Sequence, residues 1–393
     1  MDCRNSIRSD RVRDTSLPLW DIFCKIVDNY GDIGVCWRLA RQLASEHLLA
    51  VRLWVDDMAT FAHFCPQLEP GSDLQTVAGV TIRRWGTPFD EVDAADVVVE
   101  AFACELPASY KAAMAARERK PAWVNLEYLS AEKWVSGTHG LPSPQALLDK
   151  YFFFPGFVSG TGGILREHEL LARRDVFQHD ARALAGFWRS IGLSPPVPGE
   201  LRISLFCYEN PATGALLEAW AARAEPVTCI VPDGVESGAL TKFFKHFALG
   251  ANSSVSRGNL SLRVIPFLEQ DRYDLLLWAC DFNFVRGEDS FVRAQWAARP
   301  FAWHVYPQEN DAHRVKLGAF LDLYCAALAA GVVERLRAFW DLWNGGRCLD
   351  SLWPEAAARG ARLQAHSRLW ASELAKQPDL TSKLVNFCNN LLK

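Results

Sequence analysis

The sequence lacks the short signatures that would place its chemistry at once. No Gly-x-Gly-x-x-Gly, no Gly-x-x-x-x-Gly-Lys-Ser/Thr, no His-Glu-x-x-His and no Gly-x-Ser-x-Gly occurs. A dinucleotide fingerprint, a P-loop, a zincin helix and a hydrolase nucleophile elbow are therefore excluded. Without an Asp-x-Asp loop, a metal held through a substrate diphosphate is not expected. The 11 cysteines are scattered, never two residues apart as in zinc or redox motifs, and read as reduced core thiols. Long apolar runs are missing too: nothing approaches the roughly 18 residues of a membrane span, and Met1–Asp14 is polar where a leader would be apolar. A cytoplasmic chain, neither exported nor membrane-bound, is expected. Excess positive charge is also absent. Lysine is scarce, 11 residues against 31 arginines, and the net charge is −4, so neither nucleic acid nor an acidic membrane is an expected partner.

What is present is core material. The 393 residues are 50% apolar and 22% charged, with 15 tryptophans, which fits two compact domains. Strand-like runs at Ile22–Val27, Val51–Val55, Val80–Trp85, Val97–Glu100 and Trp123–Leu126 alternate with helical stretches such as Val35–Glu46 and Ala108–Arg119. This is the pattern of a doubly wound α/β sheet. The segment Phe152–Gly163 reads as a long loop. A helix at Asp180–Ile191 leads into the Pro195–Gly199 linker, and alternation resumes with strands at Leu201–Tyr208, Val227–Val231, Leu260–Ile265, Phe282–Val285 and Phe301–His304. The expected organisation is an extension over 1–18, a first Rossmann-like domain over 19–175, a linker region over 176–199 and a second Rossmann-like domain over 200–350. Helices over 351–393 are expected to pack back across the junction. Two such domains leave a cleft at the carboxyl ends of their strands, where α/β folds bind ligands.

Four stretches could carry chemistry there. Asp28-Asn29-Tyr30-Gly31-Asp32-Ile33-Gly34 joins the first strand to the first helix. Its glycines permit close backbone approach, and its carboxylates suit a cation or general-base work. Asp32 as a helix N-cap and Asp28 as a turn-former is the plainer alternative. In Arg286-Gly287-Glu288-Asp289-Ser290, a turn into a helix near Ser290 would offer backbone N–H groups, a hydroxyl and a guanidinium to a diphosphate. Glu288 and Asp289 would then face sugar hydroxyls or another reacting group; capping by Asp289 or Ser290, with Arg286 in a surface ion pair, is again the alternative. Phe206, Tyr208, Phe267 and Gln270 suit a nucleobase by stacking and edge hydrogen bonding, or simply a core, and Tyr306 would wall the same pocket. Glu167-His168-Glu169 reads as a solvated helix face.

The stretch Ile22–Gly34 followed by Trp37-Arg38-Leu39-Ala40-Arg41, together with Arg286–Ser290, closely resembles the bacterial protein-arginine rhamnosyltransferases that modify translation elongation factor P. The likeness runs from about Trp20 to the C-terminus. It implies a GT-B fold of two facing Rossmann-like domains, and inverting transfer of L-rhamnose from dTDP-β-L-rhamnose to an arginine nitrogen of elongation factor P, with no metal or other cofactor. By the same resemblance, Asp32 is the general base, Asp28 assists at the acceptor guanidinium and Glu288 is the second essential carboxylate. Asn29, Tyr30, Gly31, Asp32 and Arg286 to Ser290 would line the donor, with Tyr208 and Gln270 contacting its nucleotide and Phe206 and Phe267 near the thymine. A catalytically silent nucleotide-binding clamp on a translation factor is the alternative function; a nicotinamide oxidoreductase lacks its glycine fingerprint.

Overall fold

The structure is a computed structural model that describes residues 18–27, 30–145, 148–235, 238–245, 249–308, 311–347 and 360–393. Almost all of the expected N-terminal extension, and the start of the expected C-terminal helical segment, lie outside them.

The first sheet contains β1 (Leu19–Cys24), β2 (Ala50–Val55), β3 (Leu74–Val77), β4 (Val80–Arg84), β5 (Val97–Ala101), β6 (Ala122–Leu126), β7 (Pro142–Gln145) and β8 (Leu148–Phe153), in the order β3-β4-β2-β1-β5-β6-β8-β7. Its six inner strands are parallel, and β3 and β7 are antiparallel edges. The second sheet contains β9 (Leu201–Leu205), β10 (Val227–Pro232), β11 (Ser254–Arg257), β12 (Leu260–Ile265), β13 (Phe282–Arg286) and β14 (Phe301–His304), ordered β11-β12-β10-β9-β13-β14. Only β11 runs antiparallel. Strand order reverses between β1 and β5 in one sheet and between β9 and β13 in the other. Each reversal opens a crevice at the carboxyl ends of the strands, the standard ligand position of this architecture.

Parallel strands are covered on both faces, which is why β5, β6, β9 and β10 are buried along their whole length. One face of the first sheet packs Ile22, Val99 and Val124 against the first helix, Gly31–Glu46; the other packs Phe23, Trp54 and Trp123 against Tyr110 and Met114. The second core holds much of the tryptophan excess, with Trp188, Trp220, Trp296, Trp340 and Trp343 no more than 1% exposed. The C-terminal helices divide between the two cores. Ala371 and Leu374 of Ala361–Ala375 belong to the second core, whereas Leu380, Leu384 and Cys388 of Leu380–Leu391 are buried in the first.

Several elements differ from the sequence reading. The first strand ends at Cys24 rather than Val27, because the chain leaves the sheet there and Val27 is 74% exposed. The first helix begins at Gly31, four residues earlier than the apolar periodicity suggests. Phe152 and Phe153, read as loop, complete β8 by pairing with Asn125 and Leu126. The edge strands β3, β7 and β11 went unread because they are four residues each and largely exposed. No helix among the described residues is long and apolar enough to cross a membrane.

Since Leu384 is fully buried against the first sheet, Leu384→Ala is expected to cost about 3 kcal/mol, seen as a lower urea midpoint for the transition that reports on the first core.

Candidate active site

The strand ends place two carboxylates opposite each other. Asp32 occupies the first turn of the Gly31–Glu46 helix and is 1% exposed. It is not the cap: Tyr30 holds that position without a side-chain bond. Instead its Oδ2 accepts from the Val27 amide at 2.9 Å and its Oδ1 from the Tyr128 hydroxyl at 3.0 Å. Glu288 opens the helix Glu288–Trp296, after Gly287 turns the chain at φ 65°. The left-handed turn there suits glycine, and the expected caps Asp289 and Ser290 lie inside the helix, which starts two residues before Ser290. The Glu288 Oε2 accepts from the Leu129 amide at 2.8 Å. Two consecutive residues of the segment after β6, Tyr128 and Leu129, thus hold one carboxylate from each domain. Tyr128 is in turn stacked on Phe102, 4.3 Å between ring centroids and 15° from parallel. Phe102, Ala103 and Glu105 all have positive φ, a strained stretch pinned by bonds from the Ala103 amide to Asn125 Oδ1 and from the Glu105 amide to Glu100 Oε1.

The electrostatics of the pair are uneven. Burial, reinforced by Asp32 and Asp289, pushes the Glu288 carboxyl up to about 7 against the opposing pull of Lys316 and the Leu129 amide. Lys316 is itself lowered by burial, with Glu288 and Glu132 acting the other way. Its ammonium lies 5.7 Å from the Tyr128 ring and 5.8 Å from that of Trp303. A carboxyl raised toward neutrality, beside a second one anchored by the Val27 amide and the Tyr128 hydroxyl, can hold a cation and exchange a proton.

Beside the pair lies a cavity partly open to solvent. It is lined by Tyr30, Gly31, Phe206, Phe267, Gln270, Arg286, Gly287, Asp289 and Ser290, among others. Rather than meeting a carboxylate among the described residues, the Arg286 guanidinium lies 4.6 Å over Phe206 and 4.8 Å over Tyr208. The Tyr208 ring meets His304 and Tyr306 edge-on at 5.3 and 5.4 Å, so these rings extend the wall beyond the cavity. Ser290 Oγ donates to the Arg286 carbonyl. Asp28 and Asn29 lie outside the described residues.

Behind the cavity runs an inter-domain network that the sequence reading did not foresee. Arg38, 1% exposed, donates through Nε to Asp289 at 2.7 Å and through both terminal nitrogens to Asp274, at 3.1 and 3.2 Å. Arg293 also binds Asp274 and reaches Glu167 at 2.6 Å. Gln270 Nε2 donates to the Gly34 carbonyl at 2.8 Å and to Asp289 Oδ2 at 3.2 Å. A Cβ on Gly34 would stand 3.1 Å from that of Asp289, so this glycine serves helix-to-helix approach. Although burial disfavours its charge, Arg293 and Arg38 hold the Glu167 carboxyl well below the usual range. The solvated-face reading is therefore corrected for Glu167, while His168 and Glu169 are exposed. Arg38 and Arg41 three apart, facing Asp271 and Asp274 three apart, were the available signal. Nothing local marked Tyr128 or Lys316.

Two facing doubly wound sheets with an aromatic and polar cleft between their strand ends make up the GT-B fold. At 9% identity and a TM-score of 0.51, a UDP-glucosyltransferase from Polygonum tinctorium covers 95% of this chain and 98% of its own, a likeness of fold alone. The particular family follows from closer relatives. Residues 20–389 match the family described as elongation factor P (EF-P) rhamnosyltransferase EarP, and the chain belongs to it. It is 50% identical over 369 residues to the protein-arginine rhamnosyltransferase of Pseudomonas aeruginosa, covering 94% of this chain and 98% of that one. To the protein of the same name from Neisseria meningitidis it is 35% identical, covering 93% and 96%. A solved structure concerning EarP-mediated arginine glycosylation of EF-P superposes at a TM-score of 0.69 and 39% identity, over 95% of this chain and 99% of that one.

Removing the Arg38 charge takes the arginine from Asp289 and leaves Asp274 and Glu167 to Arg293. Arg38→Met is expected to lower stability by about 3–5 kcal/mol, and replacing Asp289 by Asn in the same chain to recover part of that loss; paired denaturation curves check both.

Proposed function

We propose that this enzyme transfers L-rhamnose from dTDP-β-L-rhamnose to an arginine side-chain nitrogen of EF-P, in the cytoplasm, with inversion at the anomeric carbon. One observation carries the reading: Tyr128 and Leu129 hold Asp32 and Glu288, one carboxylate from each domain, in a shared cleft beside the cavity. Family membership supports the arginine acceptor on EF-P. The aromatic walls with Arg286 support a nucleoside diphosphate donor.

The chemistry explains why two carboxylates are wanted. A guanidinium is a poor nucleophile, since its lone pairs are delocalised and its pKa is above about 12. Glu288 and Asp32 accept its N–H groups and localise its charge, and Asp28 would assist. As the arginine nitrogen bonds to the anomeric carbon, the carbon–oxygen bond to the diphosphate breaks and dTDP leaves with the electron pair. Asp32, fixed by the Val27 amide and the Tyr128 hydroxyl, takes the nitrogen's proton. The proposal assigns the charge growing on the diphosphate to Arg286 and the amino end of the Glu288–Trp296 helix, rather than to a metal or other cofactor. Tyr208, Phe206, Phe267 and Gln270 are assigned to the nucleotide, and Tyr306 to the outer wall.

Intact-mass measurement of EF-P after incubation with enzyme and donor is expected to show one added deoxyhexose. No gain would leave the protein a nucleotide-binding clamp. Asp32→Asn is expected to slow transfer on the order of 10²–10⁴-fold while dTDP binding stays within a few-fold; near-normal turnover would sink the base assignment. For pH, a protonated Glu288 contributes no negative charge to the acceptor, so kcat/KM for EF-P should climb as pH rises through about 7. Glu288→Gln should be slow at every pH and lack that limb.

A further inference from the structure

The second sheet does not wall the cavity alone. Tyr30, Gly31 and Phe64 close it from the first domain. Phe64 comes just after the short helix Met58–Ala62, beyond the carboxyl end of β2, and no motif in the sequence points to it. Its placement is fixed by local bonding. Asp57 caps the helix through the Ala59 and Thr60 amides, both at 3.0 Å, and the Phe64 amide donates to the Phe61 carbonyl at 3.0 Å. One flank of the half-buried ring packs on the first core. Across the cleft it meets Phe267 edge-on at 5.5 Å, and beside it lies Tyr30 at 5.3 Å. Tyr30 itself reaches Phe267 at 5.0 Å. The cavity lining therefore includes an aromatic cluster drawn from both domains, together with Arg286 and Ser290. A planar, π-faced group fits the cluster, and an anion fits Arg286 and Ser290.

We infer that Phe64 is a nucleobase-contacting residue of the donor site, supplied by the domain opposite the one that carries Phe206, Phe267 and Arg286. This rests on the nucleotide donor proposed above. Base recognition then draws on both halves of the enzyme, and a nucleotide without its sugar already engages the first domain. Because the Met58–Ala62 turn is tied down by its own hydrogen bonds, little ordering cost is left to be met on binding.

Calorimetric titration of the full chain with dTDP and with inorganic pyrophosphate separates the possibilities. Phe64→Ala is expected to weaken dTDP binding about tenfold, the loss typical of one base–aromatic contact, and to leave pyrophosphate affinity unchanged. Phe64→Trp is expected to restore dTDP binding to within about threefold of wild type by the same stacking argument. The melting temperature of each unliganded variant reports that it is folded. If Phe64→Ala binds dTDP as wild type does, or loses pyrophosphate in equal measure, the inference fails while the donor reading stands. A wild-type protein that does not bind dTDP overturns the donor reading and this inference with it.

Discussion

The Arg38 guanidinium is the constraint on which the rest of the structure depends. It is buried at the junction, and a charge taken out of water must be met by fixed partners. Those partners, Asp289 and Asp274, stand on two helices of the other domain. Burial works against its charge, yet the surrounding carboxylates raise it above its ordinary range. Separating the domains would take Asp289 and Asp274 from Arg38 and Glu167 from Arg293, so the junction has one strongly preferred register. That register does chemical service. Asp32 lies six residues before Arg38 on one helix, and Glu288 one residue before Asp289 on the other, so pairing Arg38 with Asp289 brings the two carboxylates into one cleft.

Glu288 and Asp289, neighbours in sequence, do different work because the first turn of a helix points them apart. Asp289 is spent on Arg38 and Gln270, both of which anchor it to the junction. Glu288 turns toward Leu129 and keeps an environment that leaves it close to neutrality. A single backbone turn at Gly287 thus sets a structural carboxylate beside the one assigned to the proposed chemistry. The Phe102–Tyr128 stack completes the arrangement from the first domain, and the strain stored at Phe102, Ala103 and Glu105 is offset by bonds from buried Asn125 and Glu100.

Much of this was legible in the sequence. The inner strands of both sheets other than the half-buried β8 could be read, because parallel strands buried on both faces appear as continuous apolar runs, as in Val97-Val98-Val99. The Asp32 and Arg286–Ser290 motifs could be placed at a cleft because each follows a strand and opens a helix. Tyr128, Leu129, Lys316 and Phe64 were not legible. Each acts through a partner far off in the chain: Tyr128 on Asp32, Leu129 on Glu288, Lys316 near both Glu288 and Glu132, Phe64 on Phe267. No local periodicity encodes such pairings. Gln270, read as a cleft residue, lines the cavity, whereas Gly34, read as permitting close approach to a ligand, serves helix packing instead; their bond to each other across the junction needed the relative placement of two domains.

Under the proposed reaction, the division of labour also bears on how one cleft would admit a cation and a dianion together. The net charge of −4 over 393 residues gives no field that would favour either. Selection must be local, within a few ångströms of fixed groups, where low dielectric magnifies each charge. Asp32 and Glu288 lie on one side, held by Tyr128 and Leu129. Arg286 lies in the second domain, stacked over Phe206 and Tyr208 instead of neutralised by a carboxylate among the described residues. The carboxylate pair and the Arg286 guanidinium therefore remain distinct although Glu288 is only two residues from Arg286. Had Asp289 faced the cavity without its Arg38 partner, it would have set a carboxylate against the diphosphate of the proposed donor. The buried arginine at the domain junction removes that repulsion in the same contact that fixes the domains.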